Sequence, residues 1–196
     1  MAKRAFDLLV SAALLLLLAP LMVLIALWVK LDSSGPALFR QQRVGKHGKL
    51  FSIHKFRTMR AQAGGLGLTV GADSRITRAG HWLRRLKLDE LPQLFDVLRG
   101  AMSLVGPRPE LPRYVALYPA DLRAQVLAVR PGITDPASLA FRDEAERLAQ
   151  SADPEMAYVR EILPAKLRLS AEYAARASLW TDLRLIARTA LLLVGR

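Results

Sequence analysis

Two adjacent carboxylates, Asp89 and Glu90, are the residues of this chain whose types and spacing best suit chemistry. They lie in the stretch LKLDELPQLFDVLRGAMSLVGPRPE, residues 86–110. Basic residues lie on both sides of the pair: Arg84, Arg85 and Lys87 shortly before it, Lys55 and Arg57 in HKFRTM, and Arg108 in GPRPE. Phosphoryl oxygens bind best to charge-assisted donors, so a site that holds a diphosphate needs such cations. The pattern therefore predicts a phosphate site around an acidic pair.

Carboxylates that face phosphates need a divalent cation between the negative charges. Mg²⁺ suits this position because it takes oxygen ligands from one or two carboxylates and from substrate phosphates. One carboxylate can then attack phosphorus while its neighbour holds the metal, which is the form of aspartyl-phosphate chemistry. The residue types thus favour phosphoryl transfer with Mg²⁺ as the cofactor.

The sequence alone also allows a purely structural role for the same pair. Pro92 is tolerated only in the first turn of a helix, which puts Asp89 at or near the N-cap and Glu90 just inside. Free amides and the helix dipole stabilise ionised carboxylates there, without any chemistry. The cap alone does not require the surrounding cations. The apolar face of this helix is formed by Leu88, Leu91, Leu94, Phe95 and Leu98.

Composition and loop patterns exclude several other kinds of site. The chain has no cysteine, which excludes disulfides, thiolate zinc sites and thiol catalysis. Its histidines, His47, His54 and His81, match no metal-ligand spacing. Residues 61–73, AQAGGLGLTVGAD, lack both known glycine-rich phosphate-binding patterns. We interpret this segment as a mobile loop.

An apolar segment near the N-terminus is the element that must place this site at a membrane. Residues 8–29 carry no charge and would extend about 33 Å as a helix, enough to cross a bilayer once. Pro20, near the middle, breaks or kinks a helix. Basic residues flank both ends, whereas a single span shows them mainly on one side. A single span and a re-entrant hairpin bent at Pro20 both remain open; the flanking residues are Lys3, Arg4, Lys30, Arg40, Arg43 and Lys46.

The remaining pattern predicts one domain, residues 32–196, after an anchor at residues 1–31. Turn signals within residues 31–59 predict a small β-hairpin. Helical patterns follow at residues 78–87, 90–99, 111–128, 143–150, 155–176 and 179–195. The last of these packs on the core or lies on the bilayer with Trp180 at headgroup level. The predicted fold class is α+β, mostly helical, with a re-entrant helix-break-helix, a small β-hairpin and amphipathic interfacial helices.

A net charge of +12 favours partners that carry phosphate, namely nucleotides, anionic membrane lipids or nucleic acid. The alternative function is therefore a membrane-tethered nucleic-acid-binding protein. Against it, the 3 Trp, 4 Tyr and 6 Phe do not interleave with the basic residues as a base-stacking platform would. A non-catalytic membrane scaffold is a further alternative, but it leaves the acidic pair among cations unexplained.

Three strings follow one another in the order found in bacterial sugar transferases. They are GPALFRQQRVGKHGKLFSIHKFRTM, DSRITRAGHWLRRLKLDELPQLFDVLRGAMSLVGPRPE and RPGIT. The chain resembles a small monotopic phosphoglycosyl transferase of that family, with specific motifs from the anchor to about residue 134 and more loosely beyond. The resemblance implies transfer of a sugar-1-phosphate from a UDP-sugar to a membrane polyprenyl phosphate, with release of UMP. This step initiates polysaccharide or glycoconjugate assembly.

The resemblance also implies roles for individual residues. The mechanism of the family is double displacement through a phosphosugar bound to an aspartate, which makes Asp89 the nucleophile and Glu90 the Mg²⁺ ligand. Phosphate-binding cations of the family match Lys55, Arg84 and Arg108. Additional candidates are Arg57, Arg142 and Asp182, although an ion pair with Asp143 or Glu146 is the simpler interpretation of Arg142.

The implied location is the cytoplasmic face of the bacterial inner membrane, with anionic lipids as contacts and no nucleic acid as a partner. The resemblance leaves the sugar, the polyprenyl length and the formation of a homodimer undetermined. Two positions depart from the family pattern. Ala19-Pro20 stands where relatives have Ser-Pro, and Asp135 stands where many relatives have glycine, which indicates a subgroup with another sugar preference.

Overall fold

The computed structural model describes residues 2–60 and 68–194, and this part of the chain is mostly helical with two small sheets. The helices are α1 Ala2–Asp32, α2 Arg78–Arg85, α3 Gln93–Leu98, α4 Pro112–Val115, α5 Ala120–Val126, α6 Pro136–Ala140, α7 Glu144–Ala149, α8 Pro154–Ala157, α9 Leu163–Ala175 and α10 Leu179–Val194. The strands are β1 Leu38–Val44, β2 Leu50–Phe56, β3 Ser103–Val105 and β4 Gly132–Thr134. The predicted α+β class is confirmed.

Helix α1 contains the apolar segment, and within the described residues it alone is long and apolar enough to cross a membrane. It continues through Pro20 as one helix, so the break expected at Ala19-Pro20 does not divide it into two. A proline removes a single amide donor, and the flanking turns keep their own hydrogen bonds. Much of the helix surface is apolar and exposed, including Leu9, Leu16, Leu17, Val23, Leu24, Leu27 and Leu31.

The N-terminal end of α1 is bonded to strand β3. The buried carboxylate of Asp7 accepts hydrogen bonds from the Ser103 hydroxyl (2.8 Å) and the Leu104 amide (3.2 Å). Lys3 donates to the carbonyl oxygen of Val105 at 3.0 Å. A charged side chain inside an apolar helix is costly unless it is paired, so Asp7 fastens this end of α1 firmly to the domain.

The C-terminal end of α1 is bonded to the same domain. Ile25 and Val29 are buried in a cluster with Phe56 and Leu83. The guanidinium of Arg57 donates to the carbonyl oxygens of Val29 (3.1 Å), Ser33 (2.6 Å) and Ser34. These carbonyls lie at the helix end, where no intrahelical donor reaches them. Both ends of the apolar helix are thus held by one folded body.

The predicted hairpin is present as the antiparallel pair β1–β2, in register from Leu38 opposite Phe56 to Val44 opposite Leu50. A 3₁₀ turn, Lys46–Gly48, joins the strands, and Gly48 adopts a φ of +76° that suits glycine. Strand β2 carries Lys55 towards the acidic pair.

Several predicted elements have different limits in the structure. The helix predicted for residues 111–128 is two helices, α4 and α5, because Pro119 disfavours a helical backbone at the residue before it. The helix predicted for residues 155–176 contains a π-helical turn, Tyr158–Ile162, between α8 and α9. The parallel pair β3–β4 was not predicted, since three-residue strands show no periodicity.

The β3–β4 pair brings two glycines into close backbone contact. A Cβ on Gly132 would overlap the backbone of Gly106, and a Cβ on Gly106 would overlap the carbonyl oxygen of Arg130. Only glycine fits at these two positions. The contact sets the course of the Gly-Pro-Arg-Pro segment that leaves β3.

Candidate active site

The acidic pair lies in a sharp reversal between α2 and α3. Lys87 adopts a left-handed conformation with a φ of 57°, and a 3₁₀ turn, Leu88–Glu90, follows it. The predicted start of α3 at residue 90 is wrong, because α3 begins at Gln93 with Pro92 as its N-cap residue. Asp89 therefore does not cap this helix, and the structural explanation of its carboxylate fails.

Glu90 is held between two cations. Its Oε1 atom accepts hydrogen bonds from Lys55 Nζ at 2.7 Å and from Arg108 Nη2 at 2.8 Å. Burial by itself would raise the pKa of Glu90, but the charges and hydrogen bonds of Arg108 and Lys55 outweigh it and hold that pKa well below its usual range. Glu90 is therefore ionised at neutral pH although it is buried.

Asp89 has the opposite environment. It is buried, its Oδ1 atom has no hydrogen-bond partner, and neither of its oxygens accepts a hydrogen bond from the described residues. Burial and the neighbouring charge of Glu90 raise its pKa, against the opposing effect of Lys55, Lys87 and Arg84. A carboxylate without hydrogen bonds keeps its lone pairs available for attack on an electrophile.

The cations around the pair have unused donors. Burial lowers the pKa of Lys55, an effect partly offset by Glu90, while Glu90 raises the pKa of Arg108. A lysine has three N–H donors and an arginine five, and each of these side chains uses one on Glu90. The remaining donors can bind the oxygens of a phosphate group.

Arg84 lies close enough to lower the pKa of Asp89, and it donates to the hydroxyl of Thr69 at 2.7 Å. Thr69 lies within the glycine-rich segment 61–73, of which residues 61–67 lie outside the described residues. The interpretation of that part as a mobile loop stays a prediction. Beyond it, Leu68 is buried and the Gly71 amide donates to Ala145 in α7 at 2.9 Å.

The three additional candidates lie in other surroundings. Arg57 bonds the end of α1, as described above. Asp182 is buried on α10, where it accepts a 2.6 Å hydrogen bond from the Tyr173 hydroxyl and pairs with Lys3. Arg142 is exposed, and the predicted ion pair with Asp143 is not formed because Asp143 pairs with Arg147 at 2.9 Å. These contacts favour structural roles for Arg57 and Asp182.

Two further side chains near the site were not singled out from the sequence. Gln93 is fully buried one helical turn after Asp89, and its amide nitrogen has no partner. Glu110 follows the Gly-Pro-Arg-Pro segment and forms several buried contacts. Their place inside the strings DELPQ and GPRPE, which also hold Asp89, Glu90 and Arg108, was a signal, but periodicity alone assigned them no role.

A divalent cation fits the pair only with help from the substrate. Among the described residues, no group of three acidic or histidine side chains could hold a metal. Asp89 Oδ1 lacks a partner, and Glu90 uses only its Oε1 atom. Mg²⁺ is commonly bound by one or two carboxylates together with substrate phosphates and water, so the two side chains suit such a site.

Comparisons with known proteins identify the family of this chain. Residues 1–196 match the sequence model of a family described as bacterial sugar transferase. An undecaprenyl-phosphate glucose phosphotransferase of Komagataeibacter xylinus is 44% identical over 193 residues, which cover 94% of this chain and 34% of that protein. UDP-glucose:undecaprenyl-phosphate glucose-1-phosphate transferases are 40% identical in Caulobacter vibrioides (95% of this chain, 67% of the relative) and 36% identical in Escherichia coli K12 (94% and 38%). The chain thus spans about a third to two thirds of the length of these relatives.

Proposed function

The chain belongs to the bacterial sugar transferase family, and from this premise we propose that it transfers a sugar-1-phosphate from a UDP-sugar to a membrane polyprenyl phosphate and releases UMP. The names of the similar proteins make UDP-glucose the first donor to test and undecaprenyl phosphate the first acceptor. The product would begin the assembly of a polysaccharide or glycoconjugate.

The observation that carries the proposal is the contrast between the two neighbouring carboxylates. Glu90 is neutralised by Lys55 and Arg108, whereas the buried Oδ1 atom of Asp89 has no partner. A carboxylate meets strong repulsion when it approaches a diphosphate, so cations must neutralise the phosphates first. The cluster supplies both an available carboxylate and those cations.

The reaction has two displacements at the same phosphorus atom. In the first, an oxygen of Asp89 attacks the phosphorus that bears the sugar, and the bond to the UMP oxygen breaks with its electron pair leaving on UMP. In the second, an oxygen of the polyprenyl phosphate attacks the phosphosugar-aspartate. The bond to Asp89 breaks, the carboxylate is restored, and a polyprenyl-diphosphate sugar forms. Lys55, Arg84 and Arg108 bind phosphoryl oxygens throughout.

Mass spectrometry of the intact protein tests the covalent step. With UDP-glucose and Mg²⁺ but no acceptor, we expect an adduct of one hexose phosphate on Asp89, and exchange of labelled UMP into UDP-glucose. Asp89→Asn should form no adduct and lose about 10³-fold or more in turnover. Asp121→Asn is the control, since Asp121 is an exposed carboxylate on α5. Turnover without adduct or UMP exchange would instead indicate direct transfer between the two substrates.

Glu90 is the residue that would hold Mg²⁺, which would supply positive charge to the phosphate oxygens. Replacing Glu90 by Gln removes a charge but keeps its shape. We expect a loss of about 10²-fold in kcat/KM and a higher Mg²⁺ concentration for half-maximal rate. The exposed Glu146→Gln variant is the control. A Glu90→Gln enzyme with the Mg²⁺ dependence of the wild type would exclude Glu90 as the ligand.

The lipid acceptor requires a site at the membrane surface, and the placement of α1 meets this requirement. Both ends of the apolar helix are bonded to the domain that carries Asp89. Residues 1–31 therefore act as the membrane anchor, with both ends of α1 on the side of the bilayer where residues 32–196 form the catalytic domain. The cytoplasmic face is the side on which UDP-sugars are available to it.

A further inference from the structure

The segment that carries Arg108 is fastened by its backbone on both sides. The Gly106 amide donates to the Thr134 carbonyl at 3.1 Å, and the Gly132 amide donates to the Pro107 carbonyl at 3.0 Å. On the other side of Arg108, the Val44 amide donates to the Glu110 carbonyl at 3.0 Å. Arg108 thus lies between two anchored points, the strand pair β3–β4 and the residue Glu110.

The side chain of Glu110 is the centre of a polar cluster in which Tyr158 and Lys166 are buried and the other members are half-buried. Its Oε1 atom accepts a 2.7 Å hydrogen bond from the Tyr158 hydroxyl and lies 3.7 Å from Lys166 Nζ. Its Oε2 atom lies 3.6 Å from Arg43 Nη1. Lys166 also pairs with Glu144 at 2.9 Å. We call these five residues the Glu110 cluster.

The Glu110 cluster acts on the backbone next to Arg108 as well as on side chains. Arg43 donates to the carbonyl oxygen of Pro109 at 3.1 Å, so the residue directly after Arg108 is held from strand β1. Tyr158 and Lys166 hold Glu110 from the π-helical turn and from α9. The cluster therefore joins the hairpin and the C-terminal helices at a point two residues from Arg108.

Simple core filling does not account for this arrangement. Two carboxylates and two cations that are largely covered by the fold lose part of their solvation, and apolar residues of similar size would stabilise the fold as well or better. Directional contacts to one carboxylate, in contrast, hold the backbone in a single position. Tyr158, Lys166 and Glu144 lie outside the strings that carry the proposed chemistry.

We propose that Glu110 is a positioning residue for Arg108. Held by Tyr158, Lys166 and Arg43, it keeps the backbone after Arg108 in place, so that the guanidinium stays over the site of the donor diphosphate. The inference rests on the proposed function, because it takes Arg108 as a ligand of that diphosphate. It gives the C-terminal helices, which contribute no reacting group, a role in donor binding.

Tyr158→Phe is the mildest test, since it removes one hydroxyl and leaves the ring. We expect the KM for UDP-glucose to rise about fivefold while kcat changes less than about twofold, because a displaced Arg108 weakens donor binding. Glu110→Gln should raise the KM further, since Arg43 and Lys166 lose their counter-charge. Tyr118→Phe is the matched control: Tyr118 is half-buried nearby, but its hydroxyl makes no hydrogen bond within the described part of the chain.

A double-mutant cycle separates positioning from a general loss of stability. In an Arg108→Lys background, Tyr158→Phe should add little to the KM, because the guanidinium through which it acts is already gone. A general destabilisation would add the same factor in both backgrounds. An equal KM increase in both backgrounds would therefore overturn the proposal.

Hydrogen exchange gives a readout that needs no turnover. The amides of Val44 and Gly132 donate to Glu110 and Pro107, so they should exchange faster in Tyr158→Phe and Glu110→Gln but not in Tyr118→Phe. Unchanged exchange together with an unchanged KM would overturn the inference. If the wild type turned over no UDP-sugar while these amides still exchanged faster, the proposed function would fail and the anchoring by Glu110 would stand.

Discussion

At the scale of residues, Asp89 and Glu90 show how neighbouring carboxylates acquire different properties. Both are buried, yet the pKa of Glu90 lies well below its usual value and that of Asp89 lies above it. Burial and the neighbouring charge of Glu90 raise the pKa of Asp89, whereas Arg108 and Lys55 bond Glu90 and outweigh the effect of burial on its pKa. Environments that separate the pKa values of two acids are a common way to give them separate tasks.

The raised pKa of Asp89 predicts the pH dependence of the first displacement. Attack requires the ionised form, so the rate of phosphosugar formation should fall as the pH drops through a pKa above the ordinary 3.8. Lys87 lowers this pKa, and Lys87→Gln should therefore move the acid limb to higher pH. The shift should be small, since Lys87 is exposed and water screens its charge.

The measurement is the pH profile of the first step in single-turnover experiments, with Lys49→Gln as the control for a lost surface charge. Lys49 lies next to the turn of the β-hairpin and is exposed. A limb that stayed in place, or that moved to lower pH, would show that Asp89 is not the group that titrates.

At the scale of elements, the candidate site depends on short segments, a 3₁₀ turn and a three-residue strand, whose positions are set by the elements packed around them. The 3₁₀ turn with the acidic pair is placed by α2 and α3, and Arg108 is placed by the close contact of β3 and β4. Neither three-residue segment is stable alone, because each makes too few hydrogen bonds to offset the loss of chain entropy. Their positions are therefore properties of the tertiary structure.

Replacement of Gly106 tests the element that places Arg108. In Gly106→Ala the new Cβ would overlap the Arg130 carbonyl oxygen and lie 2.9 Å from the Gly132 nitrogen. We expect a loss of about 2–3 kcal/mol in unfolding free energy and a higher KM for the donor. Gly48→Ala is the matched control, because Gly48 has a φ of +76° and no neighbour within 4 Å.

Gly48→Ala should lower the free energy of unfolding by about 1 kcal/mol, because the backbone conformation alone disfavours alanine there. The KM for the donor should stay unchanged. Denaturant unfolding and donor kinetics of both variants provide the comparison. Equal stability losses, or an unchanged KM in Gly106→Ala, would mean that the strand contact does not position Arg108.

At the scale of the whole molecule, the main feature is an apolar helix that belongs to the domain it anchors. Its N-terminal end is bonded through Asp7 and its C-terminal end through Arg57. The exposed leucines between them would be unfavourable in water and favourable in lipid. Both ends meet one body, which favours their lying on the same side of a bilayer, although α1 runs through Pro20 without the break that a re-entrant hairpin requires.

Cysteine labelling can test this topology cleanly, because the chain contains no cysteine. Ala5→Cys and Ser34→Cys place single exposed thiols near the two ends of α1. A membrane-impermeant maleimide should label neither in intact cells and both in inverted membrane vesicles. Asp121→Cys reports the side on which the catalytic domain lies. Labelling of one α1 position in intact cells would show that the helix crosses the bilayer.

Much of the protein could be predicted from local patterns. The apolar anchor, the β-hairpin, most of the helices and the α+β class follow from periodicity and turn residues, which act over a few positions. The acidic pair, with basic residues a few positions before it, likewise indicated the candidate site from a local pattern. The order of the motifs indicated the family, and the match over residues 1–196 shows it.

The tertiary structure alone decided which charges meet. Lys55 and Arg108 reach the same oxygen of Glu90 from positions 35 and 18 residues away, while Arg57, only two residues from Lys55, bonds the end of α1 instead. Residues two apart in a strand point to the same face, so strand geometry alone would place Lys55 and Arg57 together. Strand β2 ends at Phe56, and the chain leaves the hairpin before Arg57. Local sequence sets which side chains are available, and long-range packing sets their partners, because a charge responds to whatever the fold brings within a few ångströms.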